Sequence, residues 1–205
     1  RYLLRSNTPD EQTDTWTSRA MRNRDRNLAA VTSASTYRSL DRYKRAVNDL
    51  NRALEHQSSG LAGIANYQDP ARSPLRSPDL LWAAQHPEQN PFYPYFSVRL
   101  RELVERDHPS IVGISLLYLS QALTAFAIIG FLRGTWPHLK IVCGGGLITS
   151  WMRRCGWKAP FSGLIDYCIE GPGESALLEF SGVSPLEKQS MPDYMGLPID
   201  RKSVV

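Results

Sequence analysis

Cysteine is scarce in this chain: there are three, at positions 143, 155 and 168. Gaps of 12 and 13 residues match neither a zinc ribbon nor a CxxC redox pair. An odd number of cysteines, together with the lack of a signal-peptide pattern, leads to the expectation of a reducing, cytoplasmic setting and no disulfide framework. Cys143 and Cys168 lie in apolar runs and read as small hydrophobes. Long apolar runs are lacking as well. The longest, Ile111 to Leu132, is broken by Ser115, Ser120, Gln121 and Thr124, so no membrane span or membrane partner is expected.

Motifs for common chemistries are also missing. Gly144-Gly-Gly-Leu-Ile-Thr and Gly171-Pro-Gly-Glu lack GxGxxG spacing, and no GxxxxGK[ST] occurs, which disfavours dinucleotide and P-loop enzymes. GxSxG is absent, and Ser115 has no evident His and Asp partners, so hydrolysis is disfavoured too. Asp166 and Glu174 form the one candidate carboxylate pair, although Asp166 sits early in a strand and reads better as a turn or edge residue.

What is present is a 205-residue chain of net charge +4, long enough for one domain plus an extension. Residues 1–60 hold eleven Lys/Arg against seven Asp/Glu, and residues 61–205 hold thirteen of each. A basic arm suits anionic partners. Here acids interleave, as in Arg24-Asp25-Arg26, and no aromatic platform accompanies them, so a solvated, partly helical extension is expected and no nucleic-acid partner.

Composition divides the chain into residues 1–60, a Pro-rich connection at 61–95, an α/β domain at 96–182 and a linker at 183–205. Residues 1–35 carry few apolar side chains and are expected to bury little. Tyr37, Leu40, Tyr43, Val47, Leu50 and Leu54 predict an amphipathic helix from Ser35 or Thr36, its N-cap, to about His56, with Gly60 just beyond its end and Arg38, Arg42, Arg45 and Arg52 in solvent. In the connection, six X-Pro steps favour extended and turning backbone, with a short strand within Leu61–Tyr67 and a short helix near Asp79–Gln85. The aromatic string from Asn90 to Phe96 reads as packing against the domain.

The fold signal lies in the third segment. Helix Phe96–Arg106 leads to the β-branched run Ile111–Ser115, expected to be a buried parallel strand. Helix Gln121–Trp136, strand Ile141–Cys143, helix Ile148–Arg154, strand Ile165–Ile169 and a helix through Phe180 follow. This alternation predicts an α/β fold, a flavodoxin-like (Rossmann-like) parallel sheet with helices on both faces, preceded by a helical or irregular N-terminal extension. No convincing strand precedes residue 60, apart from a weak candidate at Tyr2–Arg5, so the sheet is expected to be incomplete. Ligands in such sheets sit beyond the strands' C-terminal ends. Those ends are Ser115-Leu116-Leu117, Gly144-Gly145-Gly146 and Gly171-Pro172-Gly173-Glu174, all small, polar or glycine-rich. Glycine lets a bulky ligand approach the backbone, and each following helix points N–H groups at the rim.

The string Val112 to Gln121, the Ile141-Val-Cys-Gly-Gly145 strand end and Ile165 to Glu174 resemble the cobalamin-binding domain that precedes the catalytic core in class B radical S-adenosylmethionine enzymes, particularly those of peptide natural-product maturation. The resemblance covers about residues 90–180, and Met191 to Pro198 is similar to the linker before the radical core. It implies that Ser115 and Leu117, then Gly144 and Gly145, line the slot for the nucleotide tail. Gly171, Gly173 and Glu174 would border it, and Tyr118, Ser120, Gln121 and Gly146 complete the implied cofactor set; Glu174 reads equally well as a helix N-terminal carboxylate. No residue is expected to act as acid, base, nucleophile or metal ligand. DxHxxG is absent, so no histidine ligand to cobalt is expected. CxxxCxxC is absent too, which assigns any iron–sulfur cluster and S-adenosylmethionine to a catalytic core outside this chain, in cis or in trans, acting on a peptide substrate. The chain then reads as a truncated product or a stand-alone carrier serving methyl transfer or a radical rearrangement. A flavodoxin-like interaction or regulatory domain that has lost its ligand is the alternative.

Overall fold

A computed structural model describes residues 14–64, 66–180 and 182. The chain forms two compact units, one running to Gly171 and the other beginning at Pro172.

The first unit opens with four helices, α1 (Thr15–Arg22), α2 (Arg24–Val31), α3 (Ala34–Tyr37) and α4 (Leu40–Gln57). Asp14 starts α1 by accepting the amides of Trp16 and Thr17 at 2.9 and 3.1 Å. Within the segment expected to bury little, residues 14–35 are thus mostly helical, and Ala20 and Met21 pack with Leu50 and Ala53 of α4 in a small core. Asn27 Nδ2 also donates to Asp49 at 3.1 Å. The helix expected from Ser35 is broken at Arg38-Ser39. Thr36 is buried and the Tyr37 hydroxyl donates to the Val31 carbonyl at 2.7 Å, which ties α3 back to α2 and forces a turn before α4. The buried stripe of α4 is Ala46, Leu50 and Ala53, while Tyr37 and Leu40 are 62% and 63% exposed. Arg38, Arg42, Arg45 and Arg52 stand in solvent as expected, and Gly60 takes φ +80° just past the helix end.

The connection contains the antiparallel hairpin β1 (Ala62–Gly63) and β2 (Asn66–Tyr67), then α5 (Ser77–Gln85) and a 3₁₀ turn at Pro87–Gln89. Helix α6 (Tyr93–Asp107) ends at His108, whose left-handed backbone donates to the Val104 carbonyl at 2.9 Å. Its aromatic start packs inward: Phe96 is buried with Ala127 and Phe131, and Phe92 and Tyr93 flank them.

Strands β3 (Ile111–Ser115), β4 (Lys140–Gly144) and β5 (Tyr167–Cys168) form a parallel sheet in the order β3-β4-β5, linked by α7 (Leu119–Thr135) and α8 (Gly146–Met152). Register pairs Val112 with Ile141, Ile114 with Cys143 and Ser115 with Gly144. Helix α7 is apolar around its circumference, the pattern of a helix enclosed by protein. Eight of its residues are buried, including Phe126, Ile129 and Leu132. Gly130 lets α5 cross closely, because a side chain there would fall on the Ala84 carbonyl.

Two expectations about the sheet change. The strand order advances in one direction, so right-handed crossovers place α7 and α8 on the same face. The core accordingly lies against Ile141 and Cys143, whereas Gly113 and Ser115, which point the other way, are exposed and Tyr167 is 45% exposed. Within the first unit α7 and α8 thus lie on one face, while Val142, which points to the other with Gly113, is also buried. Among the described residues strand β3, expected to be buried, is an edge strand with no residue fully buried, and β4 is the buried one, with Ile141, Val142 and Cys143 at 0%, 3% and 1% exposure. Strand β5 is shorter than predicted, though the Asp166 and Ile169 amides extend its bonding to the Ile141 and Cys143 carbonyls at 2.9 and 2.8 Å.

The second unit contributes α9 (Glu174–Phe180), as the sequence predicts. The Tyr2–Arg5 candidate strand and the 183–205 linker lie outside the described residues.

Candidate functional site at the strand ends

The ends of β3 and β4 interlock through backbone. Leu116 is 2% exposed, its amide donates to the Gly144 carbonyl at 2.8 Å, and its carbonyl accepts from the Leu147 amide at 3.0 Å. Gly145 lies across this crossing with φ +97°, and an added Cβ would stand 2.6 Å from the Leu116 oxygen. Only glycine satisfies both demands. Its neighbours differ: a Cβ on Gly144 would make ordinary contact with Ile169 at 3.7 Å, and one on Gly146 would meet nothing within 4 Å. Gly171 has φ +73° with open space around it, and its amide donates to Thr149 Oγ1 at 2.9 Å.

These contacts bring Ser115, Leu117, Gly144, Gly145, Gly146 and Gly171 to one rim. The chain then exposes three large apolar residues in succession, Leu117, Tyr118 and Leu119, at 51%, 66% and 37%. Gln121 organises this segment, its Oε1 accepting the Leu117 and Tyr118 amides, both at 3.2 Å, at the start of α7. Arg153 and Glu170, paired at 2.9 Å, carry charge near the Gly171 turn. Gly173 and Glu174 belong to the other unit, where Glu174 is the first residue of α9.

Tyr118, Ser120 and Gln121 also border a cleft of about 770 Å³ between the β1–β2 hairpin and α7. Tyr67, Phe92, Tyr95 and Ile64 complete its walls, none of them singled out from the sequence as site residues. The aromatic string at 90–96 is the one sequence signal that bears on it. Its other walls come from positions far apart in the chain and leave no local pattern.

The remaining polar candidates have structural duties. Asp166 Oδ2 accepts from the Ile141 amide and from Arg133, both at 2.7 Å, while Arg133 also binds the Pro137, Leu139 and Leu164 carbonyls. Burial opposes ionisation of Asp166, but the Ile141 amide and the Arg133 guanidinium outweigh it and hold its carboxyl below the usual range. This clamp sits at the N-terminal end of the strands, away from the rim, which removes Asp166 from the candidate carboxylate pair.

Burial, with Cys168 adjacent, pushes the Cys143 thiol up to about 12, and burial raises Cys168 as well. All three cysteines are free, and Cys155 is exposed. His86 stacks on Trp82 at 4.4 Å, His56 is exposed on α4, and His108 and His138 border a separate hollow with Val104 and Trp136. Among the described residues no cluster of three or more His, Cys, Asp or Glu is placed to hold a metal ion, and no helix is long and apolar enough to cross a membrane. No family model, curated protein or solved structure matches this chain.

Proposed function

We propose that the strand-end rim seats a flat, bulky ligand, and that the chain is a flavodoxin-like cobalamin-binding module of a radical S-adenosylmethionine enzyme. The observation that carries this reading is the exposed sequence Leu117-Tyr118-Leu119 beside open glycines. Leaving such area in water forgoes roughly 25 cal/mol for each Å² that a ligand would cover. The residues present suit a corrin in this respect: Leu117 and Tyr118 offer an apolar floor, Gly146 and Gly171 leave room, and the Ser115 hydroxyl stands at the edge as a hydrogen-bond donor. Gly145 contributes differently from the role the family resemblance implies, since its missing side chain accommodates Leu116.

Bound there, cobalamin would supply a cobalt centre for carrying a methyl group or an electron. The residues of this chain bind and orient the ligand and keep water from its underside. The iron–sulfur cluster, S-adenosylmethionine and a peptide substrate belong to a catalytic core outside the chain, acting in cis or in trans. A flavodoxin-like order would reverse beside β3, where the described sheet ends. That open edge favours the second reading, an interaction or regulatory domain without a ligand.

Hydroxocobalamin added to the folded protein and followed through desalting by its visible absorbance separates the two. The first reading predicts about one retained corrin per chain and at least tenfold less for Gly146→Phe, which fills the rim at a position without backbone strain. Corrin-free wild-type protein would favour the second. Gly145 is unsuitable for this test, because any side chain there strikes the Leu116 backbone and damages the fold.

A further inference from the structure

The cleft between the hairpin and α7 shares Tyr118, Ser120 and Gln121 with the residues implied for the cobalamin rim, but its other walls are separate and its chemistry is distinctive. Among the described residues fourteen line it, and none is Asp, Glu, Lys, Arg or His, in a chain that is 21% charged. Four of the fourteen are aromatic: Tyr67, Phe92, Tyr95 and Tyr118. Tyr67 and Phe92 already meet edge to face, with ring centroids 5.5 Å apart. Hydrogen-bonding capacity comes from neutral groups, chiefly Asn66, Ser120 and the Gln121 amide nitrogen, whose partner oxygen is engaged by backbone.

An adjoining hollow of about 500 Å³ shares Asn66, Tyr67 and Ser120 with the cleft but carries Asp69, Arg72, Arg76 and Asp79. Those charges are engaged. Arg76 lies 3.7 Å from Asp79, which also accepts the Ser73 amide at 3.0 Å. Asp69 accepts from the Ala71 amide at 2.8 Å and from the Tyr67 hydroxyl at 3.4 Å, and Arg72 lies over the Trp82 ring. Among the described residues, ionic groups are thus gathered on one side of Tyr67 and absent from the cleft on the other.

We propose that the cleft binds an uncharged, ring-bearing small molecule. An unpaired carboxylate, phosphate or ammonium would lose hydration there with no counter-charge to replace it. A neutral ring system instead gains aromatic contact on several sides, with the amides and hydroxyl setting its orientation. The volume falls in the range of small-molecule sites, roughly 300–1,000 Å³. Burial, reinforced by Asp69, pushes the Tyr67 phenol up to about 12, so this wall stays neutral through the physiological range.

The test uses the full chain and two fluorescent probes, neutral N-phenyl-1-naphthylamine and its sulfonated counterpart 8-anilinonaphthalene-1-sulfonate. Saturable binding of about one neutral probe per chain is expected, at least tenfold tighter than the sulfonate. Ile64→Asp puts a carboxylate on a wall residue that is 51% exposed and weakens the neutral probe at least tenfold. Tyr95→Asp, at a 55% exposed wall position on α6 outside the rim, does the same and serves should the first variant misfold, with circular dichroism checking both. Equal affinity for the two probes, absence of saturable neutral-probe binding, or unchanged affinity in a folded variant overturns the proposal.

Discussion

Helices α4 and α7 are nearly equal in length, 18 and 17 residues, yet they make opposite uses of it. Helix α4 buries only Ala46, Leu50 and Ala53 and keeps its arginines in water. Helix α7 buries eight residues and is enclosed by α5, α6 and the sheet. The first is a surface helix held along one stripe, and the second is the axis of the domain. The difference locates the candidate site, because the first turn of α7 and the two residues before it are where this apolar helix is left uncovered.

Substitutions should sharpen this contrast. The largest effect is expected at Gly130: Gly130→Leu drives a side chain into the Ala84 carbonyl and should yield protein without a cooperative unfolding transition in circular dichroism. Phe126→Ala, at 0% exposure, should cost about 3–5 kcal/mol in urea titration, against about 2 kcal/mol for Leu50→Ala in the smaller α1–α4 core. Equal losses at the two positions would break the comparison.

The smallest effect concerns the far end of α7, which Arg133 ties to Asp166. Because the folded state depresses this carboxyl, its contribution is present above the ordinary value of 3.8 and is lost as pH falls through the folded value. Asp166→Asn should therefore flatten the acid limb of a stability-against-pH curve below pH 3.8 and leave its shape at pH 7 unchanged.

The sequence signalled these regions unequally, for physical reasons. Strand β3 and helices α5, α6 and α7 were legible because β-branched runs, prolines and apolar periodicity mark them locally. Helix α1 was not, since it is buried through Ala20, Met21 and Thr17, which carry little hydrophobic signal. The buried stripe of α4 was misplaced for a related reason: two of its three members are alanines, and the larger Tyr37 and Leu40 face solvent. That α7 and α8 share a face follows from strand order, which is a long-range property. At the strand ends, local sequence does not distinguish Gly145, pressed on Leu116, from Gly146, which faces open space. The neutral cleft assembles from residues 54 to 128 and has no sequence motif.

The most direct test of the rim as a ligand platform is the melting temperature of the protein as hydroxocobalamin is raised to saturation. A ligand selective for the folded state at a hundredfold its Kd adds about 2.7 kcal/mol. For a unit of this size that corresponds to a rise of roughly 5–10 °C, expected in the wild type and absent in Gly146→Phe. A wild-type melting temperature that stays fixed at every concentration would contradict the rim's role as a platform.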